Sequence, residues 1–91
     1  MARKRNRLEI IHDILETIKS KSKGIKPTHI LYKSNLSHQM MEEYLNELII
    51  KKFITVNEIG NGKTYSLTKK GLNYLEQYKM IVNFTETFGL D

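Results

Sequence analysis

The sequence has no cysteine, no tryptophan, a single proline, Pro27, and only five glycines among its 91 residues. Without cysteine there can be no disulfide, thiolate zinc site or cysteine nucleophile. The scarcity of proline and glycine argues against a disordered or fibrous chain. No aliphatic run exceeds three residues, so neither a membrane span nor a signal peptide is predicted. We therefore expect one small, intracellular globular domain.

The positive charge is concentrated at the start of the chain. Residues 1–33 contain nine Lys or Arg and three acidic residues, a net charge of +6, whereas residues 34–91 have a net charge of −1. Clustered basic residues suggest a polyanionic partner, usually nucleic acid. A solubilising tail explains the same charge equally well.

The spacing of apolar residues predicts four helices, with a short strand segment before the second and a hairpin before the last. Asn6 and Glu9 resemble a capping box at the start of the first helix, which should run for about 14 residues until Gly24 stops it. Ile25 and Lys26, which follow, form a segment too short for more than a single strand pairing. β-forming residues alternate on both sides of the Gly/Asn turn at 60–62, which predicts a hairpin.

The connection between the second and third helices is short. Pro27 opens the second helix. Asn35 tolerates the left-handed conformation that ends a helix, and Ser37 can cap the next one.

Thr68 is predicted to cap the last helix. Helix, short strand, helix, tight turn, helix, hairpin and helix is the order of a winged helix-turn-helix, an α+β and mostly α fold.

The last helix, predicted to extend to about residue 88, has more apolar surface than packing on a small domain would use. A seam of two heptads runs along it, formed by Tyr74, Tyr78, Ile81, Thr85 and Phe88. This seam predicts that two copies pair through their last helices; stacking of the two tyrosines on bases is the alternative. The predicted domains are a basic arm, residues 1–6, a winged-helix domain, 7–67, and a C-terminal dimerisation helix, 68–91.

Three stretches resemble the small archaeal winged-helix DNA-binding proteins: residues 8–11, residues 26–37 (Lys-Pro-Thr-His-Ile-Leu-Tyr-Lys-Ser-Asn-Leu-Ser) and residues 67–71. The resemblance covers nearly the whole chain, and its most specific part is the block at 28–37. It implies a cytoplasmic, nucleoid-associated chromatin protein. It also implies a homodimer whose last helices form an antiparallel coiled coil.

Double-stranded DNA is the partner that the fold, the charge and the resemblance predict. By the resemblance, the contacts comprise the basic arm, Lys33, the start of the third helix and Lys63. The basic residues after the first helix, represented by Lys26, can reach the DNA backbone as well. The predicted nucleic-acid-binding residues are Arg3, Lys4, Arg5, Arg7, Lys26, Lys33, Ser37, His38, Gln39 and Lys63.

The third helix departs from the usual composition of a DNA-reading helix. It carries Glu42, Glu43 and Glu47, and no Lys or Arg lies between residues 37 and 50. A helix in the groove normally neutralises phosphates, although a glutamate can accept a hydrogen bond from cytosine N4. Either only the first turn, residues 37–39, contacts DNA, or this face has another role.

No set of residues indicates an enzyme. Glu42 and Glu43 are adjacent, so they point about 100° apart on a helix and do not converge on one site. His12, His29 and His38 fall on three separate predicted helices, so we expect no metal and no other cofactor. A sequence-specific transcriptional regulator and a protein-interaction winged helix remain the alternatives to a chromatin protein.

Overall fold

The fold of this chain, seen in a computed structural model that describes residues 5–21, 23–60 and 62–90, consists of helices around one hairpin. The elements, in chain order, are α1 Arg7–Lys19, α2 Pro27–Ser34, α3 His38–Ile50, β1 Ile54–Ile59, β2 Gly62–Leu67 and α4 Lys69–Thr87. This mostly helical α+β order confirms the predicted winged helix-turn-helix architecture.

The first helix begins at the predicted capping box. The Glu9 N–H donates to Asn6 Oδ1 at 2.8 Å, and the Asn6 N–H donates to Glu9 Oε1 at 3.4 Å. The prediction that Gly24 stops this helix was wrong, because α1 already ends at Lys19. Gly24 has φ 101° and lies against the hairpin, where a Cβ would stand 2.9 Å from Thr64 Oγ1. A glycine therefore lets the connection pass close to the sheet.

The turn between α2 and α3 has the predicted local chemistry. Pro27 is the first residue of α2, and Asn35 ends the helix in the left-handed conformation with φ 52°. Ser37 caps α3, with its hydroxyl oxygen accepting from the Met40 N–H at 3.1 Å. Leu36, between the two caps, is half-buried against the core. Local capping therefore determines the angle at which α3 leaves α2.

The hairpin forms a two-stranded antiparallel sheet, the wing. β1 and β2 pair from Ile54 opposite Leu67 as far as the tip. Ile25 adds the predicted single pairing at the edge, because it exchanges two backbone hydrogen bonds with Tyr65, at 3.0 and 2.9 Å. The segment before α2 is thereby attached to the wing.

The core is built around α1, which packs against α2, α4 and β2. The least exposed apolar side chains are Ile14, Leu15, Ile18, Ile30, Leu48 and Ile54. Only Gly71 and Leu75 of α4 are buried, so the first half of that helix packs on the body and the second half extends from it. Within the described ranges, no helix combines the length and apolarity needed to cross a bilayer.

Candidate nucleic-acid interface

The outward face of α3 is polar because its other face is anchored in the core. Met41 and Leu45 are buried. Gln39, Glu43 and Asn46 are exposed on the opposite side of the helix. Since residues three and four apart share a helix face, burial of the apolar line directs this polar line into solvent.

Two side-chain pairs, each spanning one turn, organise the start of α3. Gln39 Nε2 donates to Glu43 Oε1 at 3.2 Å. His38 Nδ1 lies 3.7 Å from Glu42 Oε1. Each exposed glutamate of this segment is therefore held beside a polar residue of the preceding turn.

Two clefts meet at Lys63 on the wing. The α2–wing cleft has Lys26, Thr28 and Lys63 among its lining residues. The α3–wing cleft is lined in part by His38, Glu42 and Lys63. The fold thus brings together three of the predicted DNA-binding residues, Lys26, His38 and Lys63, from three different elements.

The exposed lysines of this surface differ in their pairing. Lys63 Nζ lies 4.0 Å from Glu58 Oε1 of the neighbouring strand, an exposed and therefore weak contact. Lys33 occupies the last turn of α2 and is exposed. For the part of the chain that the structure describes, neither Lys26 nor Lys33 pairs with a carboxylate. These lysines keep most of their positive charge available to a polyanion.

Tyr65 forms the floor of the α3–wing cleft. Its side chain is buried. Burial raises the pKa of Tyr65, and the negative charge of Glu42 raises it further. The phenol therefore stays protonated well into alkaline conditions and keeps a hydroxyl, not a charge, beside the helix.

Of the predicted basic arm, the structure describes residues 5 and 6, and the Arg5 side chain is partly buried against the body. Arg3 and Lys4 lie outside the described residues. Arg5 donates from Nη1 to Asp13 Oδ2 at 2.7 Å and from Nη2 to the Asn35 carbonyl at 3.1 Å. Arg5 therefore links α1 to the end of α2, and its predicted contact with DNA stays a prediction.

Arg7 is also held within the fold. It forms an ion pair with Glu47, and its guanidinium lies 5.7 Å from the centre of the Tyr44 ring. Lys51 Nζ donates to the same glutamate at 3.2 Å. Arg7 therefore attaches α1 to α3, and Glu47 is neutralised from two sides. This pairing accounts for one of the three negative charges on α3.

Ser37 contributes to α3 by capping it. Its hydroxyl oxygen accepts from the Met40 N–H, which leaves the O–H donor and one lone pair for a ligand. All three predicted first-turn contacts, Ser37, His38 and Gln39, are exposed.

This arrangement of a capped third helix and a wing matches a known family. The sequence model described as winged helix-turn-helix matches residues 4–86. The chain belongs to the winged helix-turn-helix family. A relative in Methanocaldococcus jannaschii, the uncharacterized protein MJ0290, is 32% identical over 78 residues. The match covers 86% of this chain and 34% of that protein, so the chain spans about a third of the relative's length.

Solved structures share the winged helix-turn-helix fold over most of this chain. Sso10a-2, a DNA-binding protein from Sulfolobus solfataricus, has a TM-score of 0.78 at 20% identity, covering 92% of this chain and 85% of its own. AF1382 from Archaeoglobus fulgidus has a TM-score of 0.73 at 26% identity, with coverages of 86% and 89%. MepR, a Staphylococcus aureus transcription regulator, has a TM-score of 0.77 at 18% identity, with coverages of 87% and 60%.

The last helix of this winged helix-turn-helix chain uses its first tyrosines internally. The Tyr74 hydroxyl donates to the Leu8 carbonyl at 2.9 Å, and its ring meets Phe53 edge-on at 5.8 Å. Tyr78 stacks on His12 with ring centres 4.2 Å apart. Both tyrosines therefore contact α1 within the chain, and their predicted place in a dimer interface stays a prediction.

The second half of α4 carries the exposed apolar surface. Met80, Ile81, Phe84 and Phe88 are each more than half exposed. The Phe84 and Phe88 rings lie 4.9 Å apart. Of the predicted seam, Ile81 and Phe88 belong to this stripe. Thr85 is half-buried and its hydroxyl donates to a carbonyl of its own helix.

The histidines form no metal site in the residues described. No group of three or more His, Cys, Asp or Glu is placed there to hold an ion. His12 instead combines its stack on Tyr78 with a 3.3 Å contact to Asp13. The His12 ring therefore contributes to the packing of α1 against α4.

Sequence reasoning missed Phe84 and Met80 on α4, and Glu47 as a partner of Arg7. The first two lie beside the heptad seam and not in it, so the heptad spacing passed over them. Glu47 is 40 residues from Arg7, and no local pattern connects the two.

Proposed function

We propose that this chain binds double-stranded DNA through α3 and the wing. The observation that carries the proposal is the convergence of Lys26, His38 and Lys63 on two adjoining clefts at the start of α3. In helix-turn-helix proteins the second helix of the motif enters the major groove with its N-terminal residues toward the bases, and the first crosses the backbone. Lys33, on the first of these helices, then approaches phosphates.

Phosphate contacts supply most of the affinity in this proposal. Lys26, Lys33 and Lys63 are the described residues that carry it, and Arg3 and Lys4 join them on the basis of charge alone. Each neutralised phosphate contributes about −0.9 to the slope of log affinity against log salt. With roughly 5–8 phosphates per protomer, the slope is about −4 to −7.

A homodimer through α4 is part of the same proposal. Its support is the stripe of Met80, Ile81, Phe84 and Phe88, which packing within the chain leaves exposed. Helices that carry a continuous apolar stripe commonly bury it against a second helix. The division into a basic arm, residues 1–6, a winged-helix body, 7–67, and a dimerisation helix, 68–91, follows from this assignment.

A nucleoid-associated role is favoured by the scarcity of positive charge on α3, since backbone contacts carry little sequence information. A sequence-specific regulator is the second candidate, because Gln39 and Asn46 face outward and amide side chains read base edges. Selection from a random duplex library separates the two. Only an operator-binding regulator enriches an inverted repeat of fixed spacing.

The direct test is fluorescence anisotropy of a generic duplex of about 25 base pairs at several salt concentrations. The wild type should bind at low salt and weaken steeply as salt is added. The variant Lys26→Glu/Lys63→Glu should lose at least about ten-fold in affinity, with its slope shallower by about 2. Lys69→Glu/Lys79→Glu, the same charge change on α4, is the matched control and should bind more tightly than the cleft double variant.

Two results would contradict the proposal. Flat anisotropy of the wild type at every salt concentration would remove DNA as the partner. Equal losses in the cleft double variant and in Lys69→Glu/Lys79→Glu would show that net charge matters and the clefts do not. Binding to a protein through Glu42 and Glu43 would survive the reversal of both lysines, which distinguishes the protein-interaction alternative.

A further inference from the structure

Gln39 and Glu43 occupy the outermost line of α3, directly opposite the buried Met41 and Leu45. Both lie in the first two turns, the part of such a helix that approaches base edges. The Gln39 amide donates to Glu43 Oε1 at 3.2 Å, which orients the carboxylate along the helix surface. For the described residues, Glu43 Oε2 makes no hydrogen bond, and the residue is exposed, so this oxygen stays available as an acceptor.

Glu43 differs from the other glutamates of α3 in its surroundings. Glu47 is neutralised by Arg7 and Lys51. Glu42 is beside His38 and lines the cleft that also contains Lys63. In the described part of the chain, Glu43 pairs only with the neutral amide of Gln39. A helix carrying this charge into the groove is repelled by phosphates unless the carboxylate meets a donor on a base.

Cytosine is the base that fits such a lone acceptor in the major groove. Guanine presents N7 and O6, and thymine presents O4, all of which are acceptors that repel a carboxylate. Adenine presents an amino group next to the N7 acceptor. Cytosine presents its N4 amino donor without an adjacent acceptor of its own.

We infer that the Gln39–Glu43 pair selects for cytosine at one position of the bound DNA, with Glu43 accepting from N4. The inference rests on the proposed DNA binding and adds a base preference to it. Glu43 discriminates by the repulsion it suffers at other bases as well as by the hydrogen bond it gains. A phosphate-driven binder thereby acquires one point of sequence discrimination per protomer.

The test is selection from a randomised duplex library with the wild type, Glu43→Gln and, as a matched control, Glu76→Gln on α4. The wild type and the control should enrich cytosine at the same position. Glu43→Gln should shift the preference at that position to adenine, because glutamine pairs with adenine N6 and N7. It should also bind random duplex more tightly, since one repelled charge is gone.

A single base change then measures the contact. Replacing the enriched cytosine by thymine exchanges the N4 donor for an acceptor and should weaken wild-type binding about ten-fold. Glu43→Gln should show a much smaller loss. Circular dichroism checks that the three proteins are folded. We expect identical spectra for the wild type and Glu43→Gln, because residue 43 is exposed.

The outcomes separate this inference from the function on which it rests. If the wild type binds no duplex at low salt, DNA binding itself fails. If the wild type binds duplex but enriches no cytosine, or if wild type and Glu43→Gln enrich the same base, DNA binding stands and the inference is wrong.

Discussion

Arg5 and Arg7 each join two helices through hydrogen bonds to residues that are distant in the sequence. Arg5 bridges Asp13 of α1 and the carbonyl that ends α2. Arg7 binds Glu47 of α3. A partly exposed ion pair contributes about 0–1 kcal/mol, so these arginines stabilise the fold modestly. Their larger effect is on position, because both hold the helix-turn-helix against α1.

Ser34 is the one fully buried polar side chain that lacks a hydrogen bond within the described residues. A buried hydroxyl without a partner retains a desolvation cost. We expect Ser34→Ala to raise the free energy of unfolding by about 1 kcal/mol, helped by the better helix propensity of alanine. For a domain of this size the melting temperature should rise by about 4–8 °C.

Ser37→Ala provides the matched comparison for this change. This variant also deletes a serine hydroxyl, three residues further along the chain, but the Ser37 hydroxyl caps α3. Loss of an N-cap costs about 1 kcal/mol, so the two variants should shift urea unfolding in opposite directions. A destabilised Ser34→Ala would mean that the hydroxyl has a partner, such as a buried water.

The buried Tyr65 and the partly buried Tyr74 predict a loss of stability at alkaline pH. Burial raises the pKa of Tyr65 and of Tyr74 above the ordinary 10.0, Glu42 and Tyr78 respectively add to the shifts, and Arg7 opposes the shift at Tyr74. The folded state therefore holds these protons more tightly than the unfolded state. The stability is fully present below about pH 10 and is lost as pH rises through the folded pKa values.

Denaturant unfolding as a function of pH measures this effect. Above pH 10 the wild type should lose stability more steeply than Tyr65→Phe/Tyr74→Phe, whose side chains do not ionise. The exposed Tyr32→Phe is the control and should keep the wild-type profile. A double variant as sensitive to alkali as the wild type would assign the alkaline transition to other groups.

At the scale of elements, the start of α4 is fastened to the connection that follows α3. The Thr68 hydroxyl donates to the Lys52 carbonyl at 2.6 Å and accepts from the Gly71 N–H at 3.2 Å. Lys70 Nζ donates to the Lys51 carbonyl at 2.9 Å. These contacts orient α4, and hence its exposed second half, relative to α3.

Gly71 is the point of closest approach in this junction. A Cβ at this position would lie 2.4 Å from the Phe53 carbonyl oxygen, which is backbone and cannot rotate away. We expect Gly71→Ala to destabilise the chain by about 2–3 kcal/mol. The expected gain in helix propensity, about 1 kcal/mol, is smaller than this cost. Urea unfolding measures the difference.

Gly62→Ala is the control for Gly71→Ala. At the wing the nearest atom to the added Cβ is the Ile59 carbonyl oxygen, 3.7 Å away, an ordinary contact. This variant should stay within about 0.5 kcal/mol of the wild type. If Gly71→Ala were equally mild, α4 would have to shift on the body without cost, and the junction would not determine its direction.

For the whole molecule, the exposed stripe on α4 predicts self-association. Phe84→Glu should convert a dimer to a monomer in sedimentation equilibrium, because it places a charge in an apolar contact. The side chain is more than half exposed in one chain, so unfolding at low protein concentration should change little. Asn83→Glu, the neighbouring residue with the same added charge, should remain dimeric. A monomeric wild type would leave the stripe without its proposed partner.

Much of the fold followed from the sequence because its signals are local. Asn6, Asn35, Ser37 and Thr68 end or begin helices through contacts within about four residues. The end of α1 was misplaced because Gly24 serves a close approach to the wing, a contact between distant residues. The same holds for the candidate site. The sequence pointed to its lysines and to the start of α3, but it did not reveal the distant partners of Arg5 and Arg7.

By itself, the sequence determined the order of the elements, their caps, the polar outer line of α3 and the uneven charge, since each depends on residue type and near neighbours. Only the tertiary structure decided which of these side chains remain available. Arg7 meets Glu47 across 40 residues, and Tyr74 meets the Leu8 carbonyl across 66. Such pairings depend on how α1 packs against α3 and α4. Packing therefore placed Arg5, Tyr74 and Tyr78 in contacts within the chain and paired the exposed Arg7 with Glu47, and it left Lys26, Lys63 and Phe84 exposed.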